Sequence, residues 1–399
     1  MGEMSSVTLS TRARHGCLRS SPVERVSYLL VLAVGAYLYC CSALWAQTSD
    51  PQTSNSNKSW TDTTESQSDN INPSRTVESH TQSGNRTVDS QSLERRGLEG
   101  TFEPYQDVEK TTVQVNATTV RTTTRTFARD ADGAKTLTQV TEEERHALPG
   151  GASNVVRTTS NPDVNGDLQI ARREIEETKT TGKDAEETKT TVMLPGVEGG
   201  LIPAMRMEER RQQGANDTVQ SQKTTLLPDG AGKWQVSEVR QTTTRQEGKN
   251  SSSEEKVSRT GPDGKLSVVS RTLSKESEND SGEKHNAVET YSVDVPGLAA
   301  DGGLHLVERD TTAQATSATG QQITKRQVEQ LNPGDPGSGL RVTILTTDAV
   351  LPSASGAQAT QTIQIRDSNG SFGVVSVDTA KSDNIHAIQV QIGPSDKPK

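Results

Sequence analysis

The chain has 399 residues, of which 29% are hydrophobic and 3% aromatic, and its formal net charge is −9. An ordinary soluble domain is roughly 45–50% apolar, so this composition excludes a thick two-layer core. Positive and negative charges are interspersed along the chain, which leaves no basic patch for a nucleic-acid partner.

The first 46 residues have the layout of an export signal. A polar stretch containing arginines, 1–25, precedes the apolar run 26–46, and polar residues resume at Gln47. Ala46 is the expected last residue of a cleaved signal peptide, although a run of this length can instead stay as a membrane anchor. Either outcome exports the rest of the chain to the periplasm, the cell surface or the extracellular space. Membrane contact is then expected only through 26–46.

All three cysteines, Cys17, Cys40 and Cys41, lie before Gln47. A chain cleaved after Ala46 would therefore have no disulfide, even in an oxidising compartment. Its stability would have to come from strand pairing.

Two short regions separate the signal from the main body. Residues 47–74 are rich in Ser, Thr, Asn and Asp, with almost nothing to bury, and are predicted to be a disordered spacer. Residues 75–110 form an irregular transition, in which Arg75–Ser79 is echoed by Arg86–Ser90. At the other end, 394–399 is a short tail.

Residues 111–393 repeat a turn at a nearly constant spacing. The turns begin near Asp130, Pro162, Pro195, Pro228, Pro262, Pro296, Pro333 and Asp367. The steps are 32, 33, 33, 34, 34, 37 and 34 residues, and a fixed period of this size is typical of repeat architectures. A softer Gly-containing turn divides each repeat into two arms rich in β-branched residues, which predicts antiparallel hairpins.

The predicted fold is all-β: tandem repeats forming an extended, largely single-layer antiparallel meander of about 14–16 strands. The first arm of most repeats opens with two apolar residues on one strand face, as in Leu168/Ile170 and Leu266/Val268. An arginine follows the leading leucine at an odd offset, as in Arg173 and Arg271. A regular strand would place that arginine on the opposite face.

The recurring turn sequence Asp-Gly-Xaa-Leu, as in Asp263–Leu266, resembles the turn sequence of the YD-type repeats of large secreted shell proteins. The Tyr-Asp motif of those repeats is absent and the period here is shorter. The resemblance therefore implies no site and no partner.

No catalytic or cofactor-binding residues are predicted. The chain has no HExxH or GxSxG motif and no phosphate-binding loop. The one metal candidate is a weak calcium turn. Asp163, Asn165 and Asp167 take positions one, three and five of a calcium loop, and Glu174 takes position twelve. Leu168 stands where such a loop needs glycine, which favours ordinary Asx turns.

The sequence thus predicts an exported, non-enzymatic repeat protein that acts as a surface spacer or adhesion platform. Its partner would be a surface protein or a polysaccharide. Three alternatives stay open: an outer-membrane-type β-barrel, a secreted carbohydrate-active enzyme, and an intrinsically disordered exported tether. Polar segments such as Ser237–Arg245 count against strands that face lipid throughout.

Overall fold

The computed structural model describes residues 58–68, 71–97, 99–130, 132–182, 184–295, 303–332, 334–353 and 356–382. The signal or anchor segment 1–46 and the tail 394–399 lie outside these residues. Within the described ranges, no helix is both long and apolar enough to cross a bilayer.

In the residues that the structure describes, twenty strands follow one another along the chain. They are β1 (Lys58–Ser68), β2 (Ile71–Ser83), β3 (Arg86–Arg96), β4 (Phe102–Asn116), β5 (Thr119–Arg129), β6 (Lys135–Ala147), β7 (Ser153–Pro162), β8 (Leu168–Gly182), β9 (Ala185–Pro195), β10 (Leu201–Gln213), β11 (Thr218–Pro228), β12 (Trp234–Glu247), β13 (Asn250–Thr260), β14 (Leu266–Glu278), β15 (Lys284–Ser292), β16 (His305–Thr316), β17 (Gln322–Leu331), β18 (Leu340–Ser353), β19 (Gly356–Arg366) and β20 (Phe372–Ser382). Single 3-10 turns lie at Pro149–Gly151 and Pro336–Ser338.

Each strand pairs antiparallel with its neighbours in the chain, so the predicted all-β meander is confirmed. Polar cross-strand pairs replace apolar packing over much of it. The hydroxyl oxygens of Thr178 and Thr188 lie 3.2 Å apart, and those of Ser79 and Ser90 lie 2.6 Å apart. Pairing also begins earlier in the chain than the repeats suggest, because β1 lies within the stretch 47–74.

The meander is closed rather than extended. β1 pairs with β20 over a register that runs from Thr64 opposite Ser382 to Ser68 opposite Asp378. The extended form predicted for the meander is therefore wrong, because the described strands make one sheet that closes into a 20-stranded barrel. An open sheet would leave two edges of unpaired N–H and C=O groups, and closure pairs residues 64–68 of one edge with 378–382 of the other.

Two kinds of turn define the two ends of the barrel. At the end that we call the proline end, most odd-to-even connections are five-residue turns. In the turn after β7, the Asp163 N–H donates to the Asp167 carbonyl at 2.9 Å, and the Gly166 N–H donates to the Asp163 carbonyl at 3.0 Å. Gly166 has a φ of 87°, a conformation that glycine adopts at little cost. At the far end several turns have only two residues, such as 248–249.

The hairpins share a β-bulge near the proline end. In each hairpin from β3–β4 to β19–β20, the even-numbered strand carries one extra residue. The extra residues are Tyr105, Thr138, Ala171, Ala204, Ser237, Val269, Val307, Thr343 and Val375.

The bulge changes which side chains share a face. Ile170 lies opposite Ser160, while Arg173 lies opposite Thr158 on the same strand. Since positions 158 and 160 of β7 point to one face, Ile170 and Arg173 do so as well. The expectation that the repeated arginine faces away from its leading leucine is wrong, because the extra residue Ala171 restores the same face.

One face of the closed sheet is buried much more than the other. Directly opposed residues share a face, so the two faces can be followed around the barrel. Thr346, Asp348 and Val350 are 9%, 8% and 7% exposed and share one face with most of the buried strand residues. Among buried non-glycine strand residues in the described ranges, those on the other face are Asp107, Thr119 and Val140. Side chains converge on the concave side of a barrel, so the more buried face is the inner wall.

Candidate functional site

The inner wall carries rows of charged side chains that neutralise one another across strands. Arg157 of β7 lies directly opposite Glu143 of β6 and Glu174 of β8. Its guanidinium donates to Glu143 Oε2 at 2.6 Å and to Glu174 Oε2 at 2.8 Å. The three side chains are 22%, 22% and 13% exposed. This row holds the wall in one arrangement and keeps it polar.

A second row crosses β16 to β19. Arg326 pairs with Asp310, with Nη2 and Oδ2 2.6 Å apart, and Gln361 Nε2 donates to Asp348 Oδ1 at 2.8 Å. The hydrogen bond that Arg326 donates to Asp310 raises the pKa of the Arg326 guanidinium. Burial raises the pKa of the Asp348 carboxyl, against the opposing effects of Gln361 and Arg326. The inner wall therefore contains one carboxyl group that is costly to ionise.

An aromatic shelf lies on the inner wall toward the far end. The rings of Trp60 and His80 stack with centroids 5.6 Å apart and planes 10° apart. Asp89 Oδ1 lies 2.6 Å from His80 Nδ1, which fixes the imidazole. No sequence motif predicts this group, since His80 stands alone in the sequence and Trp60 falls in the predicted spacer. Only strand register reveals it, because Trp60 opposes His80 and His80 opposes Asp89.

The predicted calcium residues are divided between two places. Asp163 Oδ1 accepts the backbone N–H groups of Asn165 at 2.8 Å and of Asp167 at 3.0 Å. The Asn165 N–H lowers the pKa of the Asp163 carboxyl, with smaller contributions from Asp167, Gln169 and Gly166. The Asp163 carboxylate thus stabilises its own Asx turn.

Glu174 lies away from that turn, on the inner wall, where Arg157 and Arg172 hold its carboxylate. In the part of the chain that the structure describes, no three His, Cys, Asp or Glu side chains come together as a metal site. Calcium binding at the turn stays a prediction.

The outer face carries an apolar band near the proline end, which we call the collar. Its residues are Phe102, Phe127, Leu137, Leu168, Ile170, Leu201, Leu226, Trp234, Val236, Leu266, Val268, Tyr291, Leu306, Leu340, Val342, Phe372 and Val374. Leu168 is 49% exposed, Leu266 48% and Val374 56%. The collar is thus a large apolar surface that the described part of the barrel leaves uncovered.

Cations cover several aromatic rings of the collar. The guanidinium carbon of Arg206 lies 4.4 Å from the Trp234 ring centroid, and that of Arg75 lies 4.8 Å from the Phe102 centroid. Lys135 Nζ lies 5.3 Å from the Phe127 centroid. The bulge makes the Arg206 contact feasible, because the extra residue Ala204 brings this arginine to the collar face.

Beyond the collar the outer face is charged. Arg210 pairs there with Glu187, and Arg121 pairs with Glu144 at 2.7 Å. The Arg210 and Arg121 side chains are 72% and 58% exposed. Such a surface cannot contact hydrocarbon, because each unshielded charge there would cost several kcal/mol, roughly 2–4 for a basic residue.

No protein-family model matches the chain, and no curated protein matches it. Among solved structures, OpdL of Pseudomonas aeruginosa is 11% identical, with 82% of this chain and 98% of that one covered and a TM-score of 0.37. OccK5 (OpdH) of the same organism is 10% identical, with 82% and 97% covered and a TM-score of 0.36. The copper transporter OprC is 7% identical, with 84% and 73% covered and a TM-score of 0.31. At these identities and TM-scores the likenesses carry no conclusion about function.

Proposed function

We propose that the chain is an exported, non-enzymatic barrel protein of the cell envelope whose lumen is a water-filled passage for hydrophilic solutes. The pairing of β1 with β20 carries this proposal, because a closed sheet encloses a lumen and an open one does not. Barrels of 16–18 strands already leave an aqueous channel, so about 20 strands enclose a wider one. The proposal keeps the exported role predicted from sequence and replaces the passive spacer with a tube.

The chemistry of the inner wall supports a polar passage. The row formed by Glu143, Arg157 and Glu174 and the pair of Asp310 with Arg326 place compensated charges along it. A wall of paired charges, Thr and Gln hydrates readily and has no large apolar surface to trap solutes. A polysaccharide, one of the partners predicted from the sequence, belongs to the class of hydrophilic chains that such a lumen would admit.

A non-enzymatic role is the simpler account of the same wall. An acid–base pair needs carboxyl groups whose environments set their pKa values apart within a cleft. The carboxylates of Glu143 and Glu174 are instead held by arginines, and Asp163 is held by its own turn. Asp348 is the exception, and its neighbour is the amide of Gln361.

The experiment compares adjacent residues that face opposite sides of one strand. Thr242 of β12 lies on the inner wall and Thr243 on the outer face. Each is changed to Cys in a chain whose Cys17, Cys40 and Cys41 are Ser, and each variant is treated with a small polar maleimide. A second sample receives a maleimide attached to a polymer coil much wider than the barrel.

The small reagent should label Thr242→Cys and Thr243→Cys at similar rates, while the polymer reagent should label only Thr243→Cys. An inner cysteine that resists the small reagent would mean a filled lumen and would overturn the passage. Equal labelling of both positions by the polymer would mean an open sheet.

A further inference from the structure

We infer that the proline end of the barrel docks on the surface of a phospholipid bilayer, with its turn tips and collar in the interfacial layer. This inference concerns the outer surface and does not depend on solutes passing through the lumen. It rests on exposed apolar tips, the height of the collar, and a row of cations beside it.

The tips of two turns at this end present valine to solvent. Val164 and Val197, in the turns 163–167 and 196–200, are 101% and 107% exposed. Neither contributes to the barrel, because a fully exposed side chain buries no area on folding. Leu168 and Leu266 of the collar lie at the same end of the barrel, and exposed apolar residues concentrated at one end are of the kind that marks an interaction surface.

The height of the collar selects docking on a bilayer over spanning one. Five of the ten even-numbered strands that the structure describes contribute two outward positions to it, such as Leu266 and Val268, which cover about 7 Å along the strand. A bilayer has a hydrocarbon core of about 30 Å, so this band cannot cross it. Interfacial elements enter only about 5–10 Å, which the collar matches.

The charges beside the collar complement a layer of lipid phosphates. Arg309 is 40% exposed, while its carboxylate partners Glu289 and Glu329 are 28% and 21% exposed. Arg75 is 32% exposed and its partner Glu94 only 12%. Arg309 is therefore more exposed than both of its carboxylate partners, whereas Arg75 is more exposed than Glu94 and less exposed than its second partner, Glu65, at 53%.

The aromatic rings of the collar fit the same level of a bilayer. Trp234 and Tyr291 lie beneath Arg206 and Arg271, so each pair has an apolar body and a charged outer group. Amphipathic groups of this kind concentrate where hydrocarbon meets headgroups. A phospholipid surface provides an apolar environment for the rings and the turn tips, and phosphates for the guanidinium groups.

The far end supplies matched control positions. Leu148 lies in a turn there and is 49% exposed, and Val115 lies on the strand before another turn and is 48% exposed. These residues are as apolar and as accessible as the collar leucines. They differ in lacking the continuous band around them.

The test places a fluorescent dye on the full chain at Val164→Cys or at Leu148→Cys, with Cys17, Cys40 and Cys41 changed to Ser. Phosphatidylcholine vesicles with nitroxide-labelled acyl chains quench a dye only where it enters the bilayer. We expect quenching at Val164→Cys and none at Leu148→Cys. Because the readout reports one end of the barrel, binding through 26–46 alone does not imitate it.

Three results would overturn the inference. Neither dye quenched would mean that vesicles bind through another segment or not at all. Both dyes quenched would mean adsorption without a preferred end. A change of the Val164→Cys dye with protein concentration, in the absence of vesicles, would mean that a second copy of the chain covers this end.

A paired variant measures the contribution of the collar itself. Leu266→Ser with Val268→Ser should raise the lipid concentration for half-maximal quenching at Val164→Cys by about tenfold, because the bilayer then buries less apolar area. The control Val115→Ser should leave it unchanged. The melting temperatures of both variants should match that of the parent chain, and equal lipid dependence in the two would also overturn the inference.

Discussion

Replacing Arg157 by Gln should destabilise the barrel by about 2 kcal/mol, because two charge-assisted contacts are lost at once. The guanidinium lies 2.6 Å from Glu143 and 2.8 Å from Glu174, and all three side chains are less than a quarter exposed. Each contact contributes roughly 1 kcal/mol at such burial, which is the upper end of the range for an exposed pair. The variant also leaves two carboxylates facing each other across β7.

The assay is urea unfolding followed by circular dichroism, compared at constant m-value. The matched control is Arg145→Gln on the same wall, where Arg145 lies 3.8 Å from Glu143 and is 53% exposed. That change should cost less than about 0.5 kcal/mol. Arg157→Lys should fall between the two, since it keeps the charge but cannot reach both carboxylates in the same way. Equal destabilisation by Arg157→Gln and Arg145→Gln would refute the reasoning.

Three further changes test other parts of the structure. Asp348→Asn should raise the melting temperature at neutral pH. Burial holds the pKa of Asp348 above its ordinary value of 3.8, so its destabilising effect grows as the pH rises through that window. The gain should disappear at pH values below the ordinary one, and a gain that persists there would contradict this cause. Gly166→Ala should lower the free energy of unfolding in urea by about 1 kcal/mol, because the backbone φ of Gly166 is 87°. Gly182→Ala should lower it less, because the new methyl group would make only an ordinary contact. Calcium should leave the melting temperature unchanged, because the carboxylates of Asp163 and Glu174 are already engaged; a rise that Asp163→Ala abolishes would restore the predicted turn site.

The hairpins could be predicted because their signals are local. Proline or Asp-Gly turns and β-branched arms specify each strand pair without reference to the rest of the chain. The bulges were not predicted, because one extra residue such as Ala171 has no distinctive chemistry. The sequence nevertheless contains a sign of each bulge. Leu168 and Ile170 alternate as in a regular strand, but Arg173, which shares their face, stands at an odd spacing from both.

Closure could not be read from the sequence, because it joins residues more than 300 positions apart. Thr64 and Ser66 lie in a Ser/Thr-rich stretch that buries little, so composition alone indicates a spacer. What stabilises this strand is a backbone ladder with β2 on one side and β20 on the other, and a ladder needs no apolar residues. The Trp60–His80–Asp89 shelf depends on the same strand and was missed for the same reason.

The most direct test of the closed barrel is a disulfide across the seam. Ser66 and Ala380 are directly opposed on β1 and β20. Opposed Cα atoms of antiparallel strands lie about 4.5–5.5 Å apart, inside the range of about 4.4–6.8 Å that a disulfide needs. Ser66→Cys with Ala380→Cys, in a chain whose other cysteines are Ser, should oxidise within the monomer as completely as the hairpin pair Ser79→Cys with Ser90→Cys. Glu65→Cys with Ala380→Cys, which places the thiols on opposite faces, should not. A seam pair that stays reduced or forms only dimers, while the hairpin pair oxidises, would show that the sheet is open.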